Sequence, residues 1–313
     1  MAKAVGDKVT ELDYNTLQSG INVIMGTPAG TTETNATGYN QSLASAQVSV
    51  GNSVTEAQWD NLRGDITKAY THQFGSGPTI TDVGTDSNVT ATVHNQYETL
   101  VATVSSDPNR YTVGAAQFST VAGITGTKAA GWNGTETHMV NVTFTNANHR
   151  KSFFNAGGQI RIYVSNDKAS PDAKTQDWQH ILNDGGQMFF NYKESARVAG
   201  TGSAAYYGAG STNGNYNLTD GAAAYTTIWT ASGANPYSEN NLAIGVRATA
   251  SNILQFRIRL SDDDAGDQTG TGPAVDETVQ GTTTSAVTYI KPNGSNVSVP
   301  GPVFAAATGN TFA

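Results

Sequence analysis

The residues best equipped for chemistry lie in an acidic, glycine-rich stretch, SDDDAGDQTGTGPAVDE, which begins at Ser261. Asp262, Asp264 and Asp267, with Asp263 between them, could offer hard carboxylate oxygens to a calcium ion. The stretch lacks the regular spacing and the terminal bidentate glutamate of a helix-loop-helix calcium site. A solvated turn after a strand is therefore expected, with no bound metal and no cofactor. The same stretch could lend Asp262, Asp264 or Glu277 to glycoside hydrolysis, which needs two carboxylates facing each other at ~5–9.5 Å. Any acid-rich loop offers such a pair, so the residues alone assign no reaction.

Other reactive groups are scattered. His72, His94, His138, His149 and His180 include no pair four residues apart, which excludes a zinc-protease helix. Despite 34 glycines, the chain carries no nucleophile elbow, Walker loop or dinucleotide-binding turn. In HRKSFFNAGGQIRIYVS a basic trio, His149, Arg150 and Lys151, precedes Phe153 and Phe154, which are expected as a buried aromatic pair anchoring a hairpin. Trp178, Trp229, Tyr206 and Tyr207 would suit sugar rings if exposed, giving a carbohydrate-binding or host-recognition module as the alternative function. Large apolar side chains mostly fill cores, and no enzyme is expected.

The elements that must position these residues fall into two halves. With 313 residues the chain is long enough for two domains, expected at 1–110 and 111–313. Only 13% of residues are charged, and the net charge of −8 includes no basic stripe for a phosphate backbone, so nucleic acid is not an expected partner. There is no cysteine, which removes disulfides, thiolate metal sites and cysteine nucleophiles together. No apolar run suits a secretory leader or a membrane span, so a soluble protein made in a cytoplasm is expected.

The first half contains a duplication. VTELDYNTLQSGI, from Val9, returns as VTEAQWDNLRGDI, from Val54, and Val5-Gly6 returns as Val50-Gly51. Chance would give roughly one identity in such a window. Each copy has the grammar of a helix start, Thr10 with Asp13 and Thr55 with Gln58. Behind the caps, Tyr14, Leu17, Ile21 and Ile24 match Trp59, Leu62, Ile66 and Ala69 at helical spacing. A third helix is predicted over 93–105, with Val93, Tyr97, Leu100 and Val104 inward. The long polar connection between the first two helices is expected to be either disordered or ordered by a neighbouring molecule, and the neighbour is the favoured reading.

After Pro108 the period changes to two. Strands are predicted at 138–145, 159–165, 241–249 and 253–261, with weaker candidates in AAYTTIWTAS, TTSAVTYIKP and QMFFNYK. The 241–261 pair reads as a hairpin, with Leu254, Phe256, Ile258 and Leu260 inward and a wet basic face of Gln255, Arg257 and Arg259. The fold class expected is α+β, multidomain: a small N-terminal helical module built on a duplicated helix, then a C-terminal antiparallel β-sandwich with long Gly/Asn-rich loops.

VGNSVTEAQWDNLRGDITKAYTHQ and HRKSFFNAGGQIRIYVS resemble a family of virion structural proteins from T-even-like myophages of marine cyanobacteria, and DQTGTGPAVDETVQGT is similar too. The resemblance implies a non-enzymatic tail, neck or fibre component, made in the bacterial host cytoplasm and resident in the virion. Its implied partners are further copies of itself, as a homo-oligomer, and other virion proteins, with a host surface glycan under the alternative function. The duplicated helices would then supply two similar docking faces, with Tyr14, Leu17, Ile21, Trp59, Leu62 and Ile66 as interface residues.

Overall fold

A computed structural model describes residues 2–84, 88–112, 118–129, 131–199, 208–263 and 278–312. The chain folds into two compact units. One comprises Met1–Ser119, Asn148–Gly158 and Lys291–Pro300; the other comprises Thr120–Ala147, Gln159–Ile290 and Gly301–Ala313.

The first unit is built on three helices, α1 (Glu11–Met25), α2 (Glu56–Phe74) and α3 (Ala91–Ser106). Thr55 closes a full capping box at α2: Gln58 N–H donates to its hydroxyl at 3.3 Å, and its own N–H donates to Gln58 Oε1 at 2.7 Å. At α1 the Asp13 carboxylate accepts both the N–H and the hydroxyl of Thr10, each at 2.8 Å. The inward stripe of α3 is His94, Tyr97, Val101 and Val104, one residue out of phase with the predicted Val93 and Leu100. Phe153 and Phe154 are buried, but on a helix, α4 (Ala147–Asn155), rather than at a hairpin.

The polar connection 26–55 is held by the chain itself, contrary to the expectation of an external partner. The Asn15 amide pairs with both backbone groups of Val48 at 2.8 Å. Buried Asp65 accepts the N–H of Ser45 at 2.8 Å, its hydroxyl at 2.8 Å, and the N–H of Ala44 at 3.2 Å. Tyr39, fully buried, caps the arrangement by donating to Pro108 O at 2.5 Å and accepting from Gln73. Side chains from two helices thus replace the backbone pairing that a loop lacks.

The second unit is a sandwich-like pair of antiparallel sheets. Its strands are β1 (Phe118–Lys128), β2 (Gly134–Thr143), β3 (Gln159–Asn166), β4 (Gln187–Phe190), β5 (Ser195–Ala199), β6 (Ala209–Gly210), β7 (Thr226–Ser232), β8 (Asn241–Ala250), β9 (Ile253–Asp262), β10 (Thr283–Pro292) and β11 (Val303–Ala306). One sheet runs β1-β10-β3-β4-β5 and the other β11-β2-β9-β8-β7-β6. Inward residues of the central strands meet across the sheets: Phe190 meets Phe256 edge to face at 5.5 Å, and His138 Nδ1 bonds Ser285 Oγ at 2.9 Å. A short helix, α5 (Ala173–Leu182), capped by Asp172, packs beside β3.

The β8–β9 hairpin forms with Leu254, Phe256, Ile258 and Leu260 buried, as its alternation predicts. Its other face is not simply wet. Tyr225 lies between the guanidinium groups of Arg247 and Arg257, 4.6 and 4.3 Å from its ring, and donates to the buried Gln255 amide oxygen. Among the described residues no helix is long and apolar enough to cross a membrane.

Candidate attachment surface

The two copies of the repeat fold alike before they reach their helices. Residues 4–7 and 49–52 each form a hydrogen-bonded turn, Asp7 N–H to Ala4 O and Asn52 N–H to Ser49 O, both at 3.1 Å. The third position is glycine in each, with φ of +99° at Gly6 and +85° at Gly51, which a side chain would strain. The second position is valine in each, and the turn lifts it into water: Val5 is 97% and Val50 91% exposed. Leu12, on the first turn of α1, is 71% exposed.

Between the two turns lies an open groove of about 640 Å³, lined by Asp7, Lys8, Gly51, Asn52, Trp59 and Asn88 among others. Gly51 N–H donates to Glu11 Oε1 at 3.3 Å and so ties the second turn to the first helix. Lys3 lies 2.9 Å from Asp13. Partial burial raises the Asp13 carboxyl, but the hydrogen bonds from Lys3 and Thr10 outweigh it and hold the group below its ordinary value.

The six residues expected at an interface lie elsewhere. Tyr14, Leu17, Ile21, Trp59, Leu62 and Ile66 are 0–3% exposed and form the module's own core. Tyr14 and Trp59, equivalent in the repeat, meet edge to face at 5.3 Å, and Trp59 meets Tyr97 the same way at 5.3 Å. Burial pushes the Tyr14 phenol up to about 12, and the Asp65 charge adds to this. The duplicated helix faces thus satisfy each other, and the exposed apolar residues of the repeat are the valines of the two turns.

Comparison with protein-family models, curated proteins and solved structures finds no match. The site rests on geometry.

The remaining candidates separate. Asp262 is buried and lies 2.8 Å from Lys174 Nζ, so it is not presented to an incoming cation or substrate. Asp264, Asp267 and Glu277 lie outside the described residues, as do Tyr206 and Tyr207. Trp178 and Trp229 are 0% and 4% exposed, which leaves no face for a sugar ring. The basic trio is used within the first unit: His149 Nε2 bonds Pro300 O at 2.7 Å, Lys151 donates to Gly30 O at 3.0 Å, and Arg150 is buried. The exposed valines went unnoticed as a surface in the sequence, although the repeated Val-Gly pair was its signal.

Proposed function

We propose that this chain is a non-enzymatic structural component of a phage virion, part of a tail, neck or fibre, which attaches through its helical module and displays its β-sandwich. The observation that carries the reading is the duplicated turn, which sets two nearly fully exposed valines on equivalent tips beside one groove. Exposed apolar tips on a rigid, self-satisfied support cost solubility and gain nothing in folding, so they suit burial against another subunit. Two equivalent tips allow one subunit to grip repeated positions on a ring or stalk, and the resemblance in WDNLR and FFNAGG points to the same kind of protein.

The test is incorporation. A Val5→Asp/Val50→Asp chain should keep its helical circular dichroism and its melting temperature, because neither side chain is buried. Its recovery in purified particles should fall at least tenfold. Wild-type incorporation of the folded double variant would reject the valine tips as the attachment point.

A further inference from the structure

Three polar side chains meet in the interior of the second unit. Lys174 comes from α5, Asn240 directly precedes β8, and Asp262 ends β9; they are 0%, 0% and 4% exposed. Lys174 Nζ forms an ion pair with Asp262 Oδ2 at 2.8 Å. In the amide orientation that satisfies its neighbours, Asn240 Nδ2 donates to Asp262 Oδ1 at 2.8 Å, and Trp178 Nε1 donates to Asn240 Oδ1 at 3.2 Å. The same indole nitrogen lies 3.4 Å from Asp262 Oδ1. Trp132 packs on Trp178 with ring centroids 5.0 Å apart, and both indoles are buried.

We propose that Lys174 and Asn240 form an intramolecular isopeptide bond, with Asp262 carrying the protons. One carboxylate bridges a primary amine and a carboxamide, and an indole N–H polarises the carboxamide oxygen. In a site closed to water, moving a proton from Lys174 Nζ to Asp262 Oδ2 removes two buried charges and leaves an amine with a free electron pair. That pair attacks Asn240 Cγ. The negative charge arising on Oδ1 meets the Trp178 N–H already aimed at it. Asp262 then gives its proton to Nδ2 and takes one from Nζ, and the departing ammonia carries that last proton away as ammonium, so Asp262 ends as the carboxylate it began as. The Cγ–Nδ2 bond breaks, the Nζ–Cγ bond remains, and one ammonia leaves. No oxidant, metal or external cofactor enters the balance. The three groups are held together by the fold, so the reaction is intramolecular and needs no encounter.

The cross-link would join α5 to the start of β8 covalently, in a chain that has no cysteine with which to do so. Trp178 sits one helical turn after Lys174, which places nucleophile and carbonyl donor on the same face of α5.

Intact mass spectrometry of the full chain under denaturing conditions tests this directly. The expected mass is the sequence mass less one ammonia. Ammonia is also lost when an Asn-Gly pair closes to a succinimide, and the chain has such pairs at Asn133, Asn213 and Asn293. The second measurement is therefore a tryptic digest. Residues 169–193, uncut at Lys174, should appear joined to residues 198–247, with fragmentation placing the link between Lys174 and Asn240. The nearly isosteric Asp262→Asn variant, checked for wild-type circular dichroism, should show the full sequence mass, restored cleavage at Lys174 into residues 169–174 and 175–193, and a separate peptide 198–247. A wild-type chain of full mass, or one that loses ammonia without the joined peptide, overturns the proposal. Loss of one water with a link from Lys174 to Asp262 overturns it as well, since the carboxyl would then be the acceptor. Ammonia loss and linkage persisting in Asp262→Asn would overturn the assigned role of Asp262.

Discussion

Replacing Asp65 should release the long connection from the helices that hold it. Its carboxylate is 1% exposed and accepts three hydrogen bonds from the connection, two from backbone N–H groups and one from the Ser45 hydroxyl. Hydrogen bonds to a charged acceptor contribute about 1.5–3 kcal/mol each, and a buried donor left without a partner costs about 1–3 kcal/mol. Water entering the vacated space recovers part of this, so Asp65→Ala is expected to cost about 3–5 kcal/mol. Ser45→Ala removes only the hydroxyl and should cost about 1 kcal/mol. The double variant should fall short of the sum, because both changes delete the same bond. Urea unfolding gives the free energies, and hydrogen exchange at the Ala44 and Ser45 amides gives the local effect. Asp65→Ala within about 0.5 kcal/mol of wild type, with those amides still protected, would refute self-ordering of the connection.

Three further outcomes follow from particular side chains. Burial pulls His72 down to about 4, with the hydrogen bond to the Ala156 carbonyl opposing, and burial also pulls His138 down to about 4. Both are neutral in folded and unfolded chains above the ordinary value of about 6.5; below it only the unfolded chain takes up the proton. Stability should therefore fall between about pH 6.5 and 4, by about 2 kcal/mol per histidine at pH 5, and level off below 4. Urea midpoints at several pH values check this, and His72→Gln should flatten its share of the slope. Gly20 lies within α1, where alanine would gain about 1 kcal/mol in helix propensity. Its added Cβ would stand 2.6 Å from Val101 Cγ1 on α3, and such overpacking costs about 1–3 kcal/mol. Thermal unfolding should show Gly20→Ala less stable than wild type, with Val101→Ala in the same chain restoring part of the loss.

What could be read from the sequence tracks how local each cause is. The starts of α1 and α2 were legible because a capping threonine and its partner lie three residues apart and the apolar stripe repeats at helical spacing. On α3 Tyr97 and Val104 are buried as predicted, but hydropathy prefers Val93 and Leu100 where the fold buries their neighbours His94 and Val101. Strands β2, β3, β8 and β9 alternate cleanly. Strand β1 sets Val121 and Ile124 among Gly, Ser, Thr and Ala and buries only Gly126, so it carries no such signal. Helix α5 was missed because its inward face includes Lys174, a residue whose burial makes sense only beside Asp262 on a distant strand. The connection 26–55 looked unsupported for the same reason: its partners, Asn15 and Asp65, are polar residues that any reading by hydropathy assigns to water. The groove and its valine tips combine a local cause, the Val-Gly turn, with a non-local one, the packing of the two repeats side by side.

The most direct test of the proposed role is the composition of purified particles. Virions of the phage that encodes this chain, banded twice through a density gradient and washed in high salt, should contain it at a fixed, symmetric copy number relative to a major tail protein, read by quantitative mass spectrometry. Its absence from the banded particles, with the intact chain remaining in the soluble lysate, would contradict a structural role in the virion.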